Sequence, residues 1–319
     1  MVKHCVLLLA LAAAHSADAS ASKAHARTES DKYAAWTAQA AKVLGARADA
    51  NSLATAAALT VTRSELTALD LAARASELAP QNSAIGWLRL QLCALAPACD
   101  MRDTATVMRW VDPDNAAAWL PTLSVAERDK DTTEVDRVLA DMAREPHFDF
   151  YWNRIVVFMF DALDAARNES SGGYAGSDSA RYAAVIGIAG GEVIPPFAPL
   201  VDACRESAAY PERRDLCLRL AKTMQRGDTI VAQLMGFGIE RRLLPPDSKE
   251  VRAIAERRRV LEWRVAAAAR FDNPLLPWTK NARARARLAQ MRALPREEDV
   301  CLAILREHKM AVDPPEVHP

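Results

Sequence analysis

Cysteine is the residue type in this sequence whose spacing implies the most chemistry. Beyond Cys5 stand Cys93, Cys99, Cys204, Cys217 and Cys301. A disulfide needs Cα atoms within about 7 Å, and six residues of unbroken helix rise about 9 Å. Cys93 and Cys99 therefore cannot pair along one helix. Pro97, however, removes a backbone donor and disfavours a helical Ala96, so the chain turns there and brings the two sulfurs together. Pro211 plays the same part between Cys204 and Cys217. Two local bridges are expected, each stapling a helix–turn–helix corner and contributing about 2–3 kcal/mol through loop entropy. Cys301 is left over; five reduced core thiols are the alternative. The other chemistry-bearing types are sparse. His25, His147, His308 and His318 show no metal-ligand spacing, and HExxH, CxxC and GxSxG are missing. Ser20-Ala21-Ser22-Lys23 matches SxxK only formally, and SGGYAGS lacks the preceding strand and following helix of a phosphate loop. No catalytic residue, metal or cofactor is expected from motifs.

The N-terminus, MVKHCVLLLALAAAHSADASASKA, has a positive Lys3, ten apolar residues from Cys5 to Ala14, and the small-x-small site Ala17-Asp18-Ala19. That pattern reads as a secretory signal over residues 1–19, with Ala19-Ser20-Ala21 as an alternative cleavage site. No later run approaches the roughly eighteen apolar residues that a membrane span needs. The expectation is a soluble mature chain, periplasmic or secreted, without a transmembrane segment. An oxidising compartment also favours the two disulfides.

Ala-rich composition with 11 Gly and 6% aromatic residues points to an all-α fold, since strands favour β-branched and aromatic types. Turn signals divide the chain into helices near 30–45, 51–62, 64–79, 82–95, 100–111, 115–129, 132–145 and 149–167. Further helices are expected near 180–189, 196–207, 212–226, 228–243, 248–271, 281–293 and 296–309. Ser30-Asp31, Cys99-Asp100 and Asp131-Thr132 supply start signals. Gly236 and Gly238 interrupt a helical pattern, which suggests close helix packing.

Residues 110–121, WVDPDNAAAWLP, hold a helix end, a turn and a new helix start. Pro80, Pro113 and Pro146 are spaced by 33 residues, and Trp87, Trp119 and Trp152 follow them by six or seven. A period near 33 implies helical hairpins stacked on copies of themselves. This spacing resembles the tetratricopeptide repeat. With Trp119 as the repeat's large aromatic, Val135 and Leu139 occupy its second-helix packing places, while Leu123 and Ala126 replace its usual Gly and Tyr. The resemblance implies a right-handed antiparallel helical-hairpin array over 51–167, preceded by a tail and capping helix over 20–50. A flexible linker at 168–179, an irregular helical region at 180–310 and a tail at 311–319 are expected to follow.

It also implies that the first helix of each unit lines a groove. Leu120, Ser124 and Arg128 would come from one unit, and Phe150, Asn153 and Val157 from the next. Asn153 and Arg128 would meet a peptide's backbone or carboxylate, with simple packing the alternative for Leu120, Phe150 and Val157. A non-catalytic scaffold binding a protein or peptide partner is the function expected. A second resemblance is to soluble lytic transglycosylases, which are helical and use a Glu-Ser pair. Glu169-Ser170 would supply a general acid here, but the family's following Gly-Leu-Met-Gln segment is missing. Charge is segregated along the chain. Residues 97–170 carry fifteen acids and eight bases, and 241–292 carry fourteen bases and five acids. In an exported protein nucleic acid is not an expected partner. The basic stretch either binds an anionic envelope surface or docks on the acidic repeats of the same chain.

Overall fold

The computed structural model describes residues 19–169, 176–206, 211–271 and 281–315. The signal expected before Ala19, the middle of the expected linker and the last four residues lie outside the described residues. Fifteen α-helices are described: α1 (Ala19–Gly45), α2 (Ala50–Thr60), α3 (Glu65–Leu78), α4 (Ser83–Leu95), α5 (Met101–Val111), α6 (Leu120–Asp129), α7 (Thr132–Met142) and α8 (Trp152–Ala165) come first. Then follow α9 (Asp178–Glu192), α10 (Ala198–Glu206), α11 (Pro211–Met224), α12 (Ile230–Leu243), α13 (Lys249–Ala269), α14 (Asn281–Ala293) and α15 (Glu297–Glu307). A 3₁₀ turn, Ala116–Trp119, leads into α6.

Side-chain caps fix most starts. Asp49 accepts from Ser52 N–H at 2.8 Å, Asn82 from Ala84 at 3.1 Å, Asp100 from Asp103 at 3.0 Å and Asp131 from Glu134 at 3.0 Å. Each satisfies a backbone donor that the first helical turn leaves open. One expected start is displaced. Ser30 and Asp31 lie inside α1, because no Pro or Gly interrupts the Ala-rich run from Ala19 until Gly45 ends it.

Helices α2 and α3, α4 and α5, and α6 and α7 pack as successive pairs, with α1 covering α2 and α3 meeting α4. Asn82 caps α4, the first helix of the second pair, and Asn115, 33 residues later, caps the 3₁₀ turn that leads into α6, the first helix of the third. At the fourth start the pattern changes. Tyr151 is the N-cap of α8, makes no side-chain cap bond and sits at φ 58°. Helix α8 then packs not only on α9 but also on α2, α4 and α14. The face that the first helices would present to a ligand is covered by the chain itself.

The second half packs on the first. Helix α10 meets α6, α11 meets α7, and α14 meets α8 and α9. Ion pairs cross the same boundary: Arg213 with Asp136 and Arg292 with Asp161. One buried core runs from Trp36 to Leu305, and a small satellite of Phe237, Ile254 and Leu261 lies apart from it. Close packing accounts for Gly236, where a Cβ would come within 2.6 Å of the Ala221 carbonyl oxygen; Gly238 has open space around it. No helix among the described residues is long and apolar enough to cross a membrane.

Both local disulfides are present. Helix α4 stops at Leu95, the chain turns through Pro97, and Cys93 and Cys99 lie 5.3 Å apart at Cα. Cys204 on α10 and Cys217 on α11 lie 5.7 Å apart, and Cys301 on α15 takes part in neither bridge. Two disulfides fit an extracellular location. Mass spectrometry of an unreduced digest should find both pairs, and a Cys204→Ser/Cys217→Ser variant should lose about 2–3 kcal/mol of stability. A long-range pairing would contradict this fold.

Candidate functional site

The segment Pro146–Trp152, PHFDFYW, joins α7 to α8 through the middle of the protein. Phe148 and Phe150 are wholly buried there. Phe150 stacks on Trp87 at 5.1 Å between ring centroids, and the Trp87 indole donates to the Val193 carbonyl oxygen at 3.0 Å. Alternation drives Phe148 and Phe150 into the core and leaves the polar groups between them to be satisfied locally.

Those polar groups meet the turn between α11 and α12. Asp228 accepts from Phe150 N–H at 2.8 Å and from Trp152 N–H at 3.1 Å, one bond on each side of Tyr151. Asp149 accepts in return from Asp228 N–H at 3.2 Å. Glu297, at the start of α15, donates its own N–H to the Asp228 carbonyl oxygen at 2.7 Å and accepts from Ile230 N–H at 2.8 Å. Gly227 belongs to the same turn; a Cβ there would come within 2.6 Å of the Phe148 carbonyl oxygen. On the other side, Asp112 accepts from the Tyr151 hydroxyl and meets His147 Nε2 at 3.1 Å. Asn115 donates to the Tyr151 oxygen at 2.9 Å and accepts from Asp149 N–H at 3.0 Å.

Burial sets the electrostatics of this hub. It pushes Asp228 up to about 8, helped by the neighbouring charge of Asp149 and opposed by the two N–H donors. Burial raises Asp149 and Glu297 as well. His147 is raised by its bond to Asp112. Burial alone would raise Asp112 too, but the bonds from His147 and Tyr151 outweigh it and hold that carboxyl low.

Tyr151 is a bulky residue in the left-handed region, a conformation that needs surrounding support. Its positive φ is set by Asp228 gripping both flanking amides and by Asp112 holding the hydroxyl. One turn into α8, the Arg154 guanidinium lies over the Tyr151 ring at 5.2 Å. Arg154 is exposed, and no carboxylate among the described residues pairs with it.

Arg154 borders a cleft of about 680 Å³ between α8, α14 and the junction of α3 with α4. Val157, Phe158, Met291 and Pro80 give it apolar walls, and Asn51, Gln81 and Asn82 bring amides. Asn82 spends its oxygen on the α4 cap, at 3.1 Å from Ala84 N and 3.3 Å from Ile85 N. Arg292 also reaches the cleft, but Asp161 beside it neutralises that charge.

Only Val157 of the six residues expected to line a groove reaches this cleft. Leu120 and Phe150 are core residues, and Asn153 is buried with its amide donating to the Leu294 carbonyl oxygen at 2.8 Å. Ser124 bonds back to the Leu120 carbonyl oxygen, and Arg128 is a surface residue paired with Asp129. The six do not converge because α6 packs on α10 whereas α8 packs on α2, α4 and α14. Glu169 lies at the surface in an ion pair with Arg47 at 2.7 Å, and its neighbour Ser170 is outside the described residues. Arg154 is absent from the expected set. The signal for it is the spacing Arg154, Val157, Asp161, a stripe three, four and seven residues apart on an otherwise apolar helix.

Comparison of the chain with protein-family models, with curated proteins and with solved structures gives no match.

The hub makes a signed prediction. Asp228 holds its proton more tightly folded than unfolded, so its contribution favours folding fully below about 4 and is lost as pH rises through about 8. Denaturant melts of the wild type should weaken with rising pH across that window relative to Asp228→Asn, which does not titrate. Asp228→Ala should cost about 2–4 kcal/mol by orphaning two buried N–H groups. A wild-type pH slope identical to that of Asp228→Asn would refute the assignment.

Proposed function

We propose that the chain is an exported periplasmic scaffold, a tetratricopeptide-like array that binds a protein partner and performs no chemistry. The 33-residue spacing of Pro and Trp and the paired helices support the repeat reading, and the disulfides support the compartment. The observation that carries the binding role is Trp110. It stands 80% exposed on α5, one turn from the exposed Val107, and Leu66 and Leu78 are exposed on α3. Large apolar side chains left in water on the second helices of two pairs are the material of an interface, and Trp is the type most enriched where binding energy concentrates.

Arginines of the basic stretch are largely engaged within the chain, Arg285 with Asp178, Arg287 with Glu307, Arg264 with Glu298 and Asp313. Arg292 pairs with Asp161 of the acidic repeats, so these arginines are engaged within the chain, mostly with carboxylates outside the repeats, which speaks against a free anionic-surface site.

An affinity pull-down from native envelope with mild crosslinking should recover a protein partner with the wild type and lose it with Trp110→Ala. Recovery of glycan or lipid alone, or clearing of purified sacculi that Glu169→Gln abolishes, would contradict the scaffold reading and favour a cell-wall enzyme or an envelope-polymer binder.

A further inference from the structure

We infer that the cleft beside Arg154 is a binding site for a small amphiphilic carboxylate, a ligand with one anionic head and an apolar body. Three observations meet there. The first is the charge. Arg154 is the one cation at the cleft without an acidic partner among the described residues, since Arg292 is neutralised by Asp161. Asp112 and Asp149 lie within reach of its charge but neither forms an ion pair with it. One guanidinium with its fork open suits a monoanion and not a polyanionic chain, and its planar geometry matches a carboxylate.

The second is positioning. Long Arg side chains at surfaces usually sample many rotamers, and binding then costs ordering entropy. Here the guanidinium rests on the Tyr151 ring at 5.2 Å, and that ring is fixed by Asp112 and Asn115 at its hydroxyl and by Asp228 at the flanking amides. Lys130 and Lys309, the other positive-φ residues outside glycine, sit at helix C-termini, where that conformation is commonplace. Tyr151 has no such excuse at a helix N-terminus. Its backbone strain goes together with a fixed cation facing open space, the association found at ligand sites.

The third is the polarity of the walls. Two acceptors of the walls are engaged within the chain: the Asn82 oxygen caps α4, and the Asp161 carboxylate holds Arg292, while Asn51 and Gln81 bring amides that carry donors as well as acceptors. The cleft therefore sets the Arg154 guanidinium and amide groups on one side against the apolar surface of Val157, Phe158 and Met291 on the other. A cleft of about 680 Å³ is of the size that encloses small molecules. This site is independent of the Trp110 surface, so either assignment stands if the other fails.

The test uses the full chain labelled at its methionine methyl groups, of which the Met291 signal reports the cleft and the other eight methionines serve as controls. Octanoate should shift the Met291 methyl saturably. Acetate, lacking the body, and octyltrimethylammonium, with the wrong charge, should leave it in place at equal concentration. Arg154→Gln should weaken octanoate binding by at least about tenfold, as expected for loss of a charge-assisted bond. Val157→Glu should abolish it. Arg154 is exposed and Val157 is partly buried against the core, so far-ultraviolet circular dichroism and a cooperative melt would verify that each variant is folded, and Arg154→Gln carries the test if Val157→Glu is not. Octanoate that leaves Met291 unmoved, or that binds Arg154→Gln or competes with the cationic surfactant equally well, would overturn the proposal.

Discussion

Two backbone N–H groups in the connection between α7 and α8, those of Phe150 and Trp152, share one acceptor, the side chain of Asp228 at 2.8 and 3.1 Å. A buried amide without a partner costs about 1–3 kcal/mol, so this connection is stable only while the turn between α11 and α12 is docked on it. The requirement runs both ways, because Asp149 accepts from the Asp228 N–H and Gly227 leaves room for the Phe148 carbonyl. Through this exchange the end of the paired helices and the C-terminal helices become parts of one core. The same grip sets the left-handed Tyr151, which starts α8 on the path that covers α2 and α4 and places Arg154 at the cleft.

Electrostatics divides between this interior and the surface. The acid-rich and base-rich segments meet in the ion pair of Arg292 with Asp161, in which both partners are substantially exposed. Exposed pairs of this kind are worth about 0–1 kcal/mol each, so they align the two halves more than they hold them together. The buried carboxyls are different. Asp228 has only N–H donors to offset its desolvation, and burial keeps it protonated at pH values where an exposed Asp is ionised.

Local rules made much of the architecture legible. Prolines, Asn and Asp caps and Ala content place the described helices after α1 close to their expected ranges, and the two disulfides follow from Pro97 and Pro211 acting on short spacings. The miss at Ser30-Asp31 shows the weakness of a cap signal without a breaker beside it. Nothing in the sequence marks the path of α8, because its course over α2 and α4 depends on Asp228, seventy-six residues after Trp152. With that path unknown, Leu120, Phe150 and Asn153 read as groove residues, whereas their partners come from elements far along the chain. Arg154 was one position away from the expected Asn153, and the face it occupies follows from the same unread path.

Native-state hydrogen exchange at the Phe150 and Trp152 amides tests the central claim most directly. If Asp228 locks the two halves into one cooperative core, both amides should exchange only through global unfolding, with the same protection free energy as interior amides of α4 and α12. Exchange of these two amides at a markedly lower free energy, or melting of α11–α15 while α2–α5 stay protected, would contradict it.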